Sequence, residues 1–185
     1  MAERDRGSNT IMSHGIKNEI IENIIVLIGE KGSWNVSVAD IAHVCRTTPA
    51  SLYTYFTSKN EMFEDVKREM EKKFDAVINL PIPEKIPEEM KIRMISFYIL
   101  DFVARNKWAS EFIDPFSSYA ATKKLMERVR VLLKKNKLSK DELEYRIYRF
   151  LAGIHFKIKY RFMRNEVPVE ADIDDISKFM LYSEV

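Results

Sequence analysis

SVADIAHVCRTTPASLYTYFTSKNEMF, Ser37 to Phe63, compresses two short helices and the start of a third into one stretch. Ser37 fits an N-cap. Behind it Val38, Ile41, Ala42 and Cys45 mark the apolar side of a helix about two turns long, with Asp40 at the third helical position to complete a capping pattern. Thr48 is a second N-cap, and Pro49 follows at the first helical position, where its fixed φ and missing N–H cost little. The spacing predicts a helix from about Pro49 to Phe56 that buries Leu52 and Phe56. Ser58 then caps a longer helix carrying Met62, Phe63, Val66, Met70, Phe74 and Val77 on one stripe. Two short helices joined by a tight turn form a helix-turn-helix, whose second helix fits the major groove of B-DNA while the first crosses the backbone.

Upstream, Ile16, Ile20, Ile24, Leu27 and Ile28 recur three and four apart and write a first helix that Gly32 is placed to stop. Almost no stretch of the chain alternates apolar and polar residues, and six prolines with five glycines leave few turns, so the fold class is all-α. The length of 185 residues suits a small module joined to a larger body. We place the N-terminal arm and DNA-reading module at 1–58 and a helical body at 59–185.

Composition excludes several function classes. The single Cys45 rules out an intramolecular disulfide, and one Cys with three His argues against structural zinc. No glycine-rich phosphate loop, HExxH or nucleophile with base and orienting acid is present, so neither an enzyme nor a cofactor is implied. Glu19 with Glu22 and Asp141 with Glu144 share helix faces, but no His accompanies them and they read as solvated charge. Residues 1–15 lack the apolar core of a signal peptide and no run reaches membrane-spanning length, so a cytoplasmic protein without membrane contact is expected. The formal charge is only +2, yet residues 43–59 hold His43, Arg46 and Lys59 with no acid, whereas acids crowd into 166–175.

That local excess falls where DNA would lie. Thr47, Thr48, Ser51 and Thr54 offer hydroxyls or methyls, and Tyr53 and Tyr55 offer phenols to phosphates or base edges, with core packing the alternative for Tyr53. Arg46 can hold guanine O6 and N7 or a phosphate. Lys59, at a helix N-terminus whose free N–H groups also favour an anion, reads as a phosphate clamp, and Ser37 is placed to act likewise. Pro49 belongs to the same surface, as a helix starter or a base contact.

Together, Gly32, Trp34, Ser37, the pair Ile41-Ala42 and above all Leu52, Tyr53, Thr54, Tyr55, Phe56, Ser58 and Lys59 resemble the TetR/AcrR family of transcriptional regulators over residues 16–64. The resemblance implies that Tyr53, Thr54 and Tyr55 occupy recognition-helix positions, Lys59 that of a backbone-contacting lysine and Ser37 that of a phosphate-contacting hydroxyl. It also implies a C-terminal body with a small-molecule pocket and a dimer built on the last long helices. Arg46 and Ala50 depart from it, standing where relatives usually carry glycine. A non-glycine at Arg46 strains the turn if φ is positive there, while adding a basic group.

Pro81, Pro83 and Pro87 separate the long helix that starts after Ser58 from a further helix beginning near Pro87. A helix over about 87–105 is apolar on nearly every side and should be surrounded, and a short one holding Trp108, Phe112, Ile113 and Phe116 should end near Asp114-Pro115. Another contains Leu125, Met126, Val129, Leu132 and Leu133. Ser139 with Glu142 forms a capping box for a helix with two apolar stripes, one of Leu143, Ile147, Phe150, Leu151, Ile154, Ile158 and Phe162, the other of Tyr145, Tyr148, Ala152, Phe156 and Tyr160. The second stripe, with Ile176 and Phe179 from a final helix, is expected to form a homodimer whose symmetry matches a palindromic operator in double-stranded DNA. Tyr98, Phe102, Trp108, Phe112, Phe116, Tyr119, Phe150 and Ile154 are candidates to line a pocket for a small hydrophobic effector, although helical spacing produces the same pattern in a plain core. The expected function is a dimeric DNA-binding regulator, a repressor released by that effector. The alternative is a helical protein-interaction adaptor without sequence-specific DNA binding.

Overall fold

Glycine and capping signals mark where the helices begin and end. In the computed structural model, residues 3–116, 118–133 and 138–181 are described; the side chains of 3–14, 111 and 179–181, Phe179 among them, lie outside that description. The described residues form α1 (Glu3–Lys31), α2 (Val38–Val44), α3 (Pro49–Leu52), α4 (Lys59–Ile78), α5 (Glu88–Arg105), a 3-10 segment (Lys107–Ile113), α6 (Ala120–Leu133), α7 (Lys140–Met163) and α8 (Glu170–Leu181), with no strand among them. They divide into two compact units, Met1–Met70 and Glu71–Val185.

In the first unit, α1 buries Ile20, Ile24, Leu27 and Ile28 together with Ile21 and Ile25, a wider face than the spacing suggested. Ile16 departs from the expectation and is 43% exposed, one turn before the buried face begins. Gly32 stops the helix at φ +60°, and a Cβ there would meet nothing within 4 Å, so the position requires glycine for its backbone and not for space. Met62, Val66 and Met70 of α4 are fully buried, whereas Phe63 is half-buried and stacks obliquely on Trp34 at 6.1 Å.

In the second unit α7 packs on α8, α6, α5 and the 3-10 segment, and α5 packs on α8, α6 and the 3-10 segment. Ile92, Ile95, Ile99, Leu100 and Val103 of α5 face this core. The expectation that α5 is enclosed on nearly every side needs correction, because Met90 and Phe97 are 47% and 53% exposed. The short helix expected around Trp108 is a 3-10 segment that ends at Ile113. Asp114 Oδ1 accepts from the Phe116 N–H at 2.9 Å, a turn that sends the chain outward before Phe116.

The two stripes of α7 part along most of their length. Ile147, Phe150, Leu151, Ile154 and Ile158 are buried, with Leu143 and Phe162 at the two ends only half-buried, while Tyr145, Tyr148, Ala152, Phe156 and Tyr160 are exposed. Ser139 caps the helix by accepting from the Glu142 N–H at 3.2 Å, but Glu142 pairs with Arg146 at 3.1 Å, so only half of the anticipated capping box forms. The end of α7 is charged and tightly tied. Arg161 holds Asp172 of α8 through two bonds of 3.0 and 3.2 Å and Glu166 through one of 2.7 Å, which pushes the guanidinium's pKa up. Lys157 pairs with Asp175, and Arg93 of α5 with Asp174. Ile176, expected at a subunit contact, is instead 1% exposed within its own chain, because α8 spends its apolar face on α5 and α7.

Candidate nucleic-acid interface

The surface foreseen from Ser37 to Lys59 is assembled by three caps and one left-handed turn. At the first cap, the Ser37 Oγ accepts from the Asp40 N–H at 3.1 Å, while Asp40 Oδ2 accepts from the Ser37 N–H at 2.9 Å, so the capping box closes in both directions. The same carboxylate oxygen accepts the Ser37 hydroxyl at 2.7 Å and the Lys31 ammonium at 2.8 Å. The lysine and these hydrogen bonds hold the Asp40 carboxyl far below the usual carboxylate range.

α2 ends on Cys45, half-buried, whose thiol is pushed up by burial. The next residue, Arg46, stands at φ +51°, in the left-handed region. Its N–H donates to the His43 carbonyl at 3.1 Å, and the Thr47 N–H reaches back to the Ala42 carbonyl at 2.9 Å. These two bonds make a Schellman ending, with arginine where glycine ordinarily stands. The exposed guanidinium makes no ion pair with the described residues. Asn165 ends α7 in the same way at φ +55°.

The third element differs from its expected length. α3 is α-helical only from Pro49 to Leu52, and the chain then continues in tighter bonding, Thr54 N–H to the Ser51 carbonyl at 3.2 Å and Tyr55 N–H to the Leu52 carbonyl at 3.0 Å. Leu52 and Phe56 are 0% and 1% exposed and anchor this segment on the unit's core, each burial contributing roughly 2 kcal/mol. Thr48, Pro49, Ala50, Tyr53 and Thr54 are exposed, with Thr47, Ser51 and Tyr55 half-buried. Thr48 Oγ1 accepts from the Ser51 N–H at 3.1 Å and lies 2.9 Å from Ser51 Oγ. That hydroxyl pair uses one of its two protons internally and leaves the other for a phosphate or base. Thr54 Oγ1 donates to the Ser51 carbonyl at 2.6 Å and presents its methyl and a lone pair instead.

Ser58 caps α4, accepting from the Glu61 N–H at 3.1 Å, and Lys59 follows, exposed, with its ammonium 5.3 Å over the Phe63 ring. Reasoning from sequence missed Glu61, although Ser58-x-x-Glu61 spells a capping signature. Glu61 turns to Thr57, accepting its N–H and its hydroxyl at 2.6 Å each, and to Lys17 of α1 at 3.2 Å. Thr57 and Lys17 hold the Glu61 carboxyl down to about 2. Lys17 also reaches the buried Asp65 at 2.8 Å and sits 4.8 Å over the Phe56 ring. The turn that presents Lys59 is thereby fastened to α1.

The candidate ligand residues part company. Phe74, Phe102, Trp108, Phe112 and Tyr119 form a row of tilted and edge-to-face rings at centroid distances from 5.1 to 6.2 Å. Phe150 and Ile154 are 0% exposed. Trp108, Phe112, Phe150 and Ile154 are thus buried among the apolar residues of the second unit, with Phe102 and Tyr119 half-buried beside them in the unit's core. Phe116, 88% exposed beyond its turn, stands outside it. An open cleft of about 580 Å³ lies between α5 and the start of α8, and of the eight candidates only Tyr98 lines it.

Residues 20–66 match the family model described as bacterial regulatory proteins, tetR family. The nucleoid occlusion factor SlmA of Enterobacter sp. (strain 638) is 24% identical over 120 residues, which span 64% of this chain and 61% of that protein. The fold is similar to a TetR-like transcriptional regulator from Rhodococcus sp. RHA1, with a TM-score of 0.72 at 16% identity over 89% of this chain and 93% of the other. It is also similar to a tetR-family transcriptional regulator from Streptomyces coelicolor, with a TM-score of 0.64 at 14% identity over 90% and 78% of the two chains.

Proposed function

We propose that this chain, a TetR/AcrR-family protein by its DNA-binding domain and all-helical fold, is a dimeric, sequence-specific repressor released by a small ligand. The observation that carries the reading is the surface around α3. Its Leu52 and Phe56 are buried while Arg46, Thr48, Tyr53, Thr54 and Lys59 stand exposed together, two cations among hydroxyls with no acid between 43 and 59. Phosphate contacts from Lys59, Ser37 and the phenols position such a segment, and Arg46, Thr47, Thr48, Pro49, Ser51 and Thr54 are within its reach for base edges.

The exposed face of α7, Tyr145, Tyr148, Ala152, Phe156 and Tyr160, is the second support, because apolar side chains of this size along 24 helical residues suit an isologous contact between two copies. Phe156 and Tyr160 already stack at 6.1 Å, which presents one flat aromatic step. Two-fold pairing of the reading segments matches a palindromic operator. Repression requires only that a promoter be blocked, and a ligand acts by biasing the spacing of the paired reading segments. Among the described residues no helix is long and apolar enough to cross a membrane, in keeping with a cytoplasmic regulator.

The test is selection of genomic DNA fragments by the purified protein, followed by binding at stated salt concentrations with and without Arg46→Ala, Tyr53→Ala and Lys59→Ala combined. A palindromic motif whose binding is lost in the triple variant is the expected result. Binding that depends on salt but not on sequence would overturn the regulator and favour a helical adaptor working through the exposed face of α7.

A further inference from the structure

The cleft of about 580 Å³ is large enough for a drug-sized molecule, and its walls are built before any ligand arrives. One wall is the open face of α5, where Met94, Phe97 and Tyr98 project. The other is the chain entering α8, with Pro168, Val169 and Ile173. This second wall is fixed by Asp172, which accepts the Val169 N–H at 2.9 Å and is gripped by Arg161. Tyr98 is fixed as well, its hydroxyl donating to the Pro81 carbonyl at 3.1 Å. Phe97, 53% exposed, lies with its ring 6.2 Å from that of Tyr98 in an edge-to-face arrangement.

The charges of the cleft are unequal. Arg93 is engaged by Asp174, and Asp101 is paired with the exposed Arg105 at 2.7 Å. Glu170 lines the cleft without an ion pair among the described residues. Glu170 and Asp172 also occupy the N-terminal turn of α8, so the positive end of that helix is already met by carboxylates. What remains is an apolar, aromatic slot with an excess carboxylate in its lining, which is the chemistry that holds an organic cation over a ring face.

We propose that this cleft, and not the aromatic core, is the effector site, and that it accepts a lipophilic organic cation. The effector role rests on the ligand-released regulator proposed above; cation binding rests on the cleft alone. The test uses the full chain and two probes of the same shape and opposite charge, tetraphenylphosphonium and tetraphenylborate, titrated by calorimetry. Tetraphenylphosphonium binds, and tetraphenylborate binds at least roughly tenfold more weakly. Glu170→Gln reduces that preference about threefold. Ala104→Trp, which fills the cleft, weakens the cation at least roughly tenfold. If its melting curve shows a damaged fold, Phe97→Ala, which removes an exposed ring, carries the same expectation.

Equal binding of the two probes, no binding of the cation, or cation binding undiminished by filling the cleft each overturns the proposal. Bound cation must also lower affinity for the selected operator, and unchanged operator affinity overturns the effector role. A protein that selects no operator sinks the regulator reading, while the calorimetric result still decides the cleft.

Discussion

Replacing Arg46 separates backbone strain from charge at one position. At φ +51° a side chain with a Cβ is destabilised by about 1–2 kcal/mol relative to the right-handed region. Glycine escapes that penalty but gains freedom in the unfolded chain, which offsets roughly 0.5–1 kcal/mol. Arg46→Gly is therefore expected to stabilise the protein by about 0.5–1 kcal/mol, raising Tm by roughly 1–4 °C for a chain of this length. Arg46→Ala keeps both the Cβ and the strain, so its Tm should stay near that of the natural protein. Both variants lose a cation at the proposed interface, and each should flatten the dependence of log K on log salt by about 0.9. Calorimetric melting together with operator binding across a salt series reads both effects. Equal melting temperatures for the glycine and alanine variants would refute the strain argument, and an unchanged salt slope would remove Arg46 from the phosphate contacts.

Glu61→Gln should weaken the protein at neutral pH. Because the folded carboxyl is held down to about 2, its contribution is present above the ordinary value of 4.5 and fades as pH falls toward 2. The deficit between variant and natural protein in urea melts should shrink over that window, and a deficit independent of pH would contradict the assigned ion pair. Phe112→Ala, at the centre of the ring row, should cost about 3–5 kcal/mol in denaturant unfolding of the second unit, and a loss under about 1 kcal/mol would mean that the row is not close-packed. Phe156→Glu should convert a sedimenting dimer to monomer while leaving the helix content intact, and a natural protein that sediments as a monomer defeats the proposed α7 contact.

Much of the helical layout was legible because local chemistry decides it. Ser37, Thr48, Ser58 and Ser139 all cap where their side chains suggested, and along α7 the middle of the first stripe is buried and the second stripe exposed, as their spacing required. The departure at Arg46 could be read as a consequence of a turn that demands positive φ. Other features depend on contacts far apart in the chain. Lys17 meets Glu61 across 44 positions, and no periodicity announces such a pairing. The ring row and a ligand pocket share one sequence pattern, since helical spacing puts aromatics on the inner face in either case. The cleft needs Phe97 and Val169 brought to one opening, and that arrangement follows from the packing of α8 on α5. Phe116 was misplaced because one Asp114 turn outweighs the apolar pattern leading up to it.

The closed capping box at Ser37 makes any phosphate contact there an exchange. Its hydroxyl already donates to Asp40 and accepts from the Asp40 N–H, so a phosphate oxygen can receive that proton only by displacing a carboxylate. The number of hydrogen bonds is then the same before and after docking, and the net gain falls well below the ~1 kcal/mol of a new bond. Such a site contributes little to grip and much to fit, because the displacement succeeds only where the DNA backbone approaches as closely as Asp40 does. Lys31 keeps the displaced carboxylate compensated, so the exchange can run in reverse as readily as forward.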